Sequence, residues 1–106
     1  MTVEKDPASY TPDLANQLGN LGSDLSDLNW HEESLGATEQ SVTLYRSLVE
    51  KNPTSYTPNL ANQLSNLVIQ LSNLDWHKES LDAAEESIAQ YQSLVVKNPA
   101  LYIPIW

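Results

Sequence analysis

Leucines recur along the chain at alternating spacings of four and three residues, and this series occurs twice. The two series are Leu14, Leu18, Leu21, Leu25 and Leu28, and Leu60, Leu64, Leu67, Leu71 and Leu74. Such spacing places apolar side chains on one face of an α-helix. Each series predicts a helix of about 17 residues that begins at a Thr-Pro pair, because Thr is a favourable N-cap and Pro fits the first helical turn. These pairs are Thr11-Pro12 and Thr57-Pro58.

A second helical pattern follows each leucine series. Its apolar positions are Leu35, Val42, Tyr45, Leu48 and Val49, and then Leu81, Ile88, Tyr91, Leu94 and Val95. Small side chains lie among them, which predicts a face where another helix crosses closely. They are Ser34, Ala37, Thr38 and Ser41, and then Ser80, Ala83, Ala84 and Ser87. We expect Asn29 and Asp75 to be the N-caps, the first with Glu32 in a capping box. We expect Pro53 and Pro99 to end these helices after about 21 residues.

Both patterns belong to one internal repeat. Residues 10–53 and 56–99 align with a constant offset of 46 and no gap, and 28 of the 44 aligned positions are identical. A fixed period of this length is the signature of stacked repeats. The linker motif that starts at Asn52 occurs again at Asn98, so residues 100–106 are expected to begin a third repeat. We predict one all-α domain over residues 1–106, an α-solenoid of two antiparallel helix-turn-helix repeats with four helices.

The sequence resembles a tetratricopeptide repeat over about residues 10–99. The resemblance comes from Leu18-Gly19-Asn20 inside the first helix, a helix break, and a second helix rich in Ala and Ser that ends at Pro. The repeat is longer than the usual 34 residues, and its turn carries Asn29-Trp30-His31. Long repeats of this kind resemble arrays in fungal and bacterial nucleotide-binding signalling proteins, and those of kinesin light chain. The resemblance implies a groove, lined by the first helices, that binds an extended peptide or a partner helix.

Amide side chains mark the polar side of both first helices. The resemblance aligns Asn20 and Asn66 with the groove Asn of the family, and Asn16 and Asn62 lie one helical turn before them. An amide can donate to and accept from a peptide backbone. The positions that would flank them are Asp13, Asp24, Asn59, Ile69 and Gln70. The alternative interpretation is an amide ladder that only fixes how the repeats stack. Neither first helix carries Lys or Arg, so capture of a carboxylate is not expected.

Composition narrows the range of functions. Fourteen acidic and five basic side chains leave a net charge of −9. This charge disfavours nucleic acid and anionic membranes and favours a basic partner, or it serves solubility alone. The chain has no Cys, no signal-peptide pattern and no apolar run of ~20 residues, so we expect a cytoplasmic protein. Around Trp30-His31 and Trp76-His77 the spacing of metal ligands is absent. We therefore expect no metal, no cofactor and no enzymatic activity.

The second repeat is more apolar than the first. Val68, Ile69 and Val96 replace Gly22, Ser23 and Glu50, and an apolar tail follows. The tail residues are Leu101, Tyr102, Ile103, Ile105 and Trp106. Apolar patches of this size are typically interfaces, so we predict a homo-oligomer, with a dimer as the commonest form. The leading functional prediction is a protein-interaction module, and the alternative is a repeat segment that serves only structure and self-assembly.

Overall fold

A computed structural model describes residues 7–97, and it describes side chains from Tyr10 to Val96. This part of the chain contains four α-helices and no strand. They are α1 (Pro7–Asp27), α2 (His31–Lys51), α3 (Pro53–Asn73) and α4 (His77–Lys97). The all-α prediction is therefore confirmed for the described residues. The predicted third repeat (residues 100–106) and the apolar tail, from Leu101 to Trp106, lie outside them.

Helices that follow one another in the chain pack side by side. α1 packs on α2, α2 on α3 and α3 on α4, whereas α1 approaches α3 at only a few positions. Within the described residues, the backbones of α1 and α4 do not approach each other. Two hairpins, α1–α2 and α3–α4, are thus joined through the contact between α2 and α3.

The first helix of each repeat begins one turn earlier than predicted. Asn52 is the N-cap of α3, and its Oδ1 accepts a hydrogen bond from the Ser55 backbone N–H at 3.3 Å. Pro53 occupies the first helical turn, and Pro58 lies inside the helix. The predicted start at Thr57-Pro58 is wrong because Asn-Pro supplies the same cap and first-turn residue five positions earlier. The motif interpreted as a linker is the beginning of the helix, and the first helices have 21 residues.

The turn inside each hairpin is a helix C-terminus of the Schellman type. Asn29 has φ 63 and Asp75 has φ 62, a left-handed conformation that Asn and Asp tolerate better than most residues. The Trp30 N–H donates to the Leu25 carbonyl at 3.0 Å, as this motif requires. We predicted that Asn29 and Asp75 are N-caps. This prediction is wrong for Asn29, because the N-cap of α2 is Trp30, and the Trp30 side chain makes no capping hydrogen bond. The capping box with Glu32 is wrong for the same reason.

Serine hydroxyls join the two helices of each hairpin. Each hydroxyl donates to a backbone carbonyl on the first helix, which is possible only where the two backbones approach closely. The four bonds are Ser34 to Gly22 (2.7 Å), Ser41 to Ala15 (2.7 Å), Ser80 to Val68 (3.0 Å) and Ser87 to Ala61 (3.2 Å). The predicted crossing face of small residues is confirmed, because the same two bonds occur in both repeats.

The hydrophobic core is centred on the contact between α2 and α3. Val42 and Tyr45 of α2 are buried, as are Leu60 and Leu64 of α3. The ring of Tyr45 lies 6.5 Å from that of Tyr56, measured between centroids. Side chains of one repeat are therefore buried by the next repeat, as expected for stacked units.

Candidate functional site

The predicted groove residues lie on α1 and α3, and most are exposed. Asn16, Asn20 and Asn62 are exposed, as are Asp13, Asp24 and Asn59, whereas Asn66 is half-buried and Gln70 is buried. The structure brings three of them together, since Asn66, Ile69 and Gln70 line one cleft between α1 and α3. The other six do not border this cleft.

The cleft has a volume of about 210 Å³. Its α3 wall is formed by Asn66, Ile69 and Gln70, and its α1 wall is formed by Ser23, Ser26 and Asp27. Asn66 and Gln70 are four residues apart, so they lie on one face of α3. The lining therefore combines two amides, two hydroxyls, one carboxylate and the exposed apolar side chain of Ile69. Such a set can pair with both polar groups of a peptide backbone and with an apolar side chain.

Gln63 extends the amides of α3 and was missed by the sequence analysis. It lies three residues before Asn66 and seven before Gln70, so it projects from the same side of the helix. Its side chain is buried against α1, and a Cβ on Gly19 would lie 2.5 Å from its Nε2. The glycine thus permits the approach of the amide. The one available signal was the recurrence of this glutamine at Gln17.

Two of these amides are incompletely hydrogen-bonded. Gln70 is 2% exposed, and its Oε1 has no hydrogen-bond partner; the same is true of the Gln63 Oε1. A buried polar atom without a partner costs about 1–3 kcal/mol. Such atoms in native proteins call for an explanation, and one explanation is a binding site in which another molecule supplies the missing partner. Gln70 is the one of the two that lines the cleft.

Of the residues predicted to form a self-association patch, the structure describes Val68, Ile69 and Val96, and these three do not line one common groove. Val68 is half-buried and lines a groove with Ile88 and Tyr91 of α4. Ile69 faces the α1–α3 cleft, and Val96 is exposed near the end of α4. Exposed apolar side chains are found instead along α1 and along α4. The spacing of these side chains in the sequence places them on the apolar faces of their helices.

An ion pair links the two second helices. The Arg46 Nε lies 2.9 Å from the Glu86 Oε2, and the Arg46 Nη2 bonds the other carboxylate oxygen. The hydrogen bonds to Glu86 raise the pKa of Arg46. Arg46 is on α2 and Glu86 is on α4, so this pair spans α3 and was not visible in the sequence pattern of either helix.

The Trp-His turns do not gather further ligands around the imidazoles. The His77 Nε2 lies 3.7 Å from the Asp75 Oδ1, and both side chains are largely exposed. Across residues 7–97, no group of three or more His, Asp or Glu side chains is arranged to hold a metal ion. Both Trp30 and Trp76 are about half exposed, so their role at the turns is limited to partial packing.

Comparison with known proteins adds no relative. Neither models of protein families, nor curated proteins, nor solved structures gave a match to this chain. In the part that the structure describes, no helix has the length and apolar character that crossing a bilayer requires. The described residues define an all-helical protein made of two copies of one hairpin. The resemblance to tetratricopeptide repeats stays a prediction.

Proposed function

We propose that this chain is a protein-interaction module that binds an extended peptide or a helix along the α1–α3 face. Asn66 and Gln70 would supply its polar contacts, and Ile69 would supply an apolar one. The observation that carries this proposal is the buried Gln70, which lines the cleft and whose amide oxygen has no hydrogen-bond partner. A backbone N–H of the ligand is the natural partner for such an oxygen.

The partner is expected to be basic. The chain carries a net charge of −9, α1 contains Asp residues, and neither α1 nor α3 contains Lys or Arg. Asp27 lies in the cleft itself. A positively charged peptide would be attracted over a distance of about 8–10 Å at physiological salt, and a negatively charged one would be repelled.

The proposed architecture is an α-solenoid similar to tetratricopeptide repeats, in a cytoplasmic setting. Its support is the packing of each helix on its neighbour in the chain and the recurrence of the same serine bonds in both hairpins. In such a stack, the first helices lie on one side and present their amides together. The predicted residues Asn16, Asn20 and Asn62 would extend the polar face beyond the cleft.

Nuclear magnetic resonance offers a direct test, because side-chain amides of Asn and Gln have their own signals. We expect a pool of extended Lys-rich peptides to shift the side-chain amide signals of Asn66 and Gln70 first. An acidic pool of the same length should leave them unchanged. Asn66→Ala should weaken binding roughly three- to tenfold, the effect of losing about one hydrogen bond.

Gln92→Ala is the matched control, since Gln92 is an exposed amide on α4 that does not border the cleft. It should bind the Lys-rich peptides as the unmodified chain does. Equal loss in both variants would contradict the proposed site. So would shifts that are confined to α4, or no shift with either pool.

A second candidate function is that of a self-assembling repeat segment without a separate ligand. One observation favours it: apolar side chains on α1 and α4 are exposed at positions that are buried in the neighbouring repeat. The amide ladder belongs to this alternative, because it would fix stacking and bind nothing else.

A further inference from the structure

We propose that the exposed face of α4 binds α1 of a second copy of this chain, in the same way that α2 binds α3 within one molecule. This contact uses a different surface from the proposed peptide site and does not depend on it. It would join copies head to tail, and each new contact would reproduce an interface that the chain already contains.

The α4 side of this contact is visible as an apolar face without a neighbour. Leu81, Ile88 and Tyr91 are 58%, 56% and 42% exposed. Their counterparts one repeat earlier are Leu35, Val42 and Tyr45, which are 6%, 2% and 3% exposed because α3 covers α2. The chemical character of the face is retained, but within the described residues no following helix covers it. An apolar face of this kind is typically an interface.

The exposed apolar face of α1 forms the other half of the proposed contact. Leu14 and Leu21 are 53% and 47% exposed, whereas the corresponding Leu60 and Leu67 of α3 are 1% and 8% exposed. The difference arises because α2 covers α3, and no preceding helix among the described residues covers α1.

A groove of about 400 Å³ lies beside these leucines at the start of the repeat. It is lined by Leu14 and Leu18 of α1 and by residues of α2, among them Gly36, Gln40 and Leu44. In the second repeat, the corresponding groove contains Leu64, Asp82 and Glu86 and is also lined by Arg46 and Glu39 of α2. The open groove is therefore the place that a preceding second helix would occupy.

Polar groups at the proposed contact are also compatible. Within the chain, the Tyr45 hydroxyl interacts with the Asn59 side chain. The corresponding residues between copies are Tyr91 and Asp13, and a tyrosine hydroxyl can donate to a carboxylate. The ion pair of Arg46 and Glu86 is replaced between copies by Gln92 and Gln40, two amides that can bond each other. No unpaired charge would be buried at either position.

A second copy is the occupant that fits both faces at once. α1 and α4 of one molecule do not approach each other in the described part of the chain, so they cannot cover each other. A helix that covers α4 as α3 covers α2 would need the leucine spacing of Leu60, Leu64, Leu67 and Leu71. α1 has that spacing. Because the two faces differ, the contact is heterologous and extends beyond a dimer, unlike the closed two-fold dimer that is commonest among proteins.

The sharpest test is a pair of variants, each of which disables one face. Leu14→Glu places a charge on the α1 face, and Ile88→Glu places one on the α4 face. Both residues are exposed, so the fold should tolerate the change, which circular dichroism would check. Val96→Glu is the control: it adds the same charge to α4 at a position where the first repeat has the exposed Glu50.

Sedimentation velocity over a range of concentrations gives the readout. We expect the unmodified chain and Val96→Glu to form species larger than dimers as concentration rises, and each face variant alone to remain a monomer. An equal mixture of the two face variants should form dimers and nothing larger, because one intact α4 face meets one intact α1 face. Added salt should strengthen association by screening the repulsion between acidic chains.

Three results would overturn the proposal: a monomeric unmodified chain at all concentrations, a dimer formed by either face variant alone, or a mixture that remains monomeric. If a Glu variant loses helicity, Leu14→Ser and Ile88→Ser replace the pair. These should weaken association at least tenfold, and an unchanged mass distribution would equally overturn the contact.

Discussion

Gly22 lies directly beneath Thr38, so closely that a Cβ on the glycine would be 2.2 Å from the Thr38 Oγ1. The two residues face each other across the α1–α2 hairpin. At the aligned positions of the second hairpin, Val68 and Ala84 line one groove. A larger residue on the first helix thus accompanies a smaller one on the second. The smaller residue of the pair is therefore on the first helix in one repeat and on the second helix in the other.

This relationship predicts a strong coupling between the two positions. Gly22→Val alone should destabilise the protein by about 1–3 kcal/mol, because the added side chain overlaps Thr38. The double variant Gly22→Val with Thr38→Ala reproduces the second repeat and should recover most of the loss. Urea unfolding of the single and double variants measures the coupling.

Thr38→Ala is the control for that cycle. It should have a small effect on its own, because the Thr38 Oγ1 is buried without a hydrogen-bond partner. If the losses of unfolding free energy in the two single variants simply add in the double variant, the two positions are not energetically coupled.

The left-handed turn residues make a second prediction. Asn29→Ala should destabilise the first hairpin by about 1 kcal/mol, since Ala adopts a positive φ at greater cost than Asn. Asn29→Gly should change the free energy of unfolding by less than about 0.5 kcal/mol. Asp75→Ala tests the aligned turn and should match Asn29→Ala. A harmless Ala at both turns would contradict the assigned conformation.

Stability at high pH depends on Tyr45. Burial raises the pKa of Tyr45 above its ordinary value of 10.0, although the hydrogen bond to Asn59 opposes this. The folded state therefore holds the phenolic proton more tightly than the unfolded state. This contribution is fully present below pH 10.0 and is lost as pH rises through the raised pKa of the folded state.

We expect the free energy of unfolding to fall as the pH rises above 10.0. Tyr45→Phe should reduce the slope of this fall with pH. Tyr91→Phe, at the aligned and exposed position, should leave the slope as it is in the unmodified chain. Equal slopes in all three proteins would show that Tyr45 is not the group responsible. Chemical unfolding at a series of alkaline pH values provides the measurement.

The leucine series and the apolar pattern that follows each of them were sufficient to predict four helices, because periodicity reports which face of a helix is apolar. The short turn between the two helices of each repeat indicated their antiparallel pairing. The small residues also predicted the face where the two helices cross. The serine hydrogen bonds form there because small side chains let the two backbones approach closely. The start of α3 was missed because the sequence holds two proline signals, and choosing between Pro53 and Pro58 required knowing that Asn52 caps the helix.

Exposure of the end faces could not be predicted from the same pattern. Ile88 and Val42 have equivalent places in the repeat, so their spacing is identical, yet within the described residues only Val42 is covered by the first helix of a following repeat. Periodicity identifies an apolar face but not the neighbour that covers it. Burial of Gln63 was missed for a related reason, because it depends on the absence of a side chain at Gly19 on another helix.

Chemical cross-linking between copies tests most directly whether each end of the molecule repeats half of the α2–α3 contact. The chain contains no Cys, so Gln92→Cys and Gln40→Cys each introduce a single thiol for a bis-maleimide linker. These positions correspond to Arg46 and Glu86, which are paired within the molecule. A mixture of the two variants should yield cross-linked dimers efficiently, and each variant alone should yield few. Equal or stronger cross-linking of either variant with itself would contradict the head-to-tail contact.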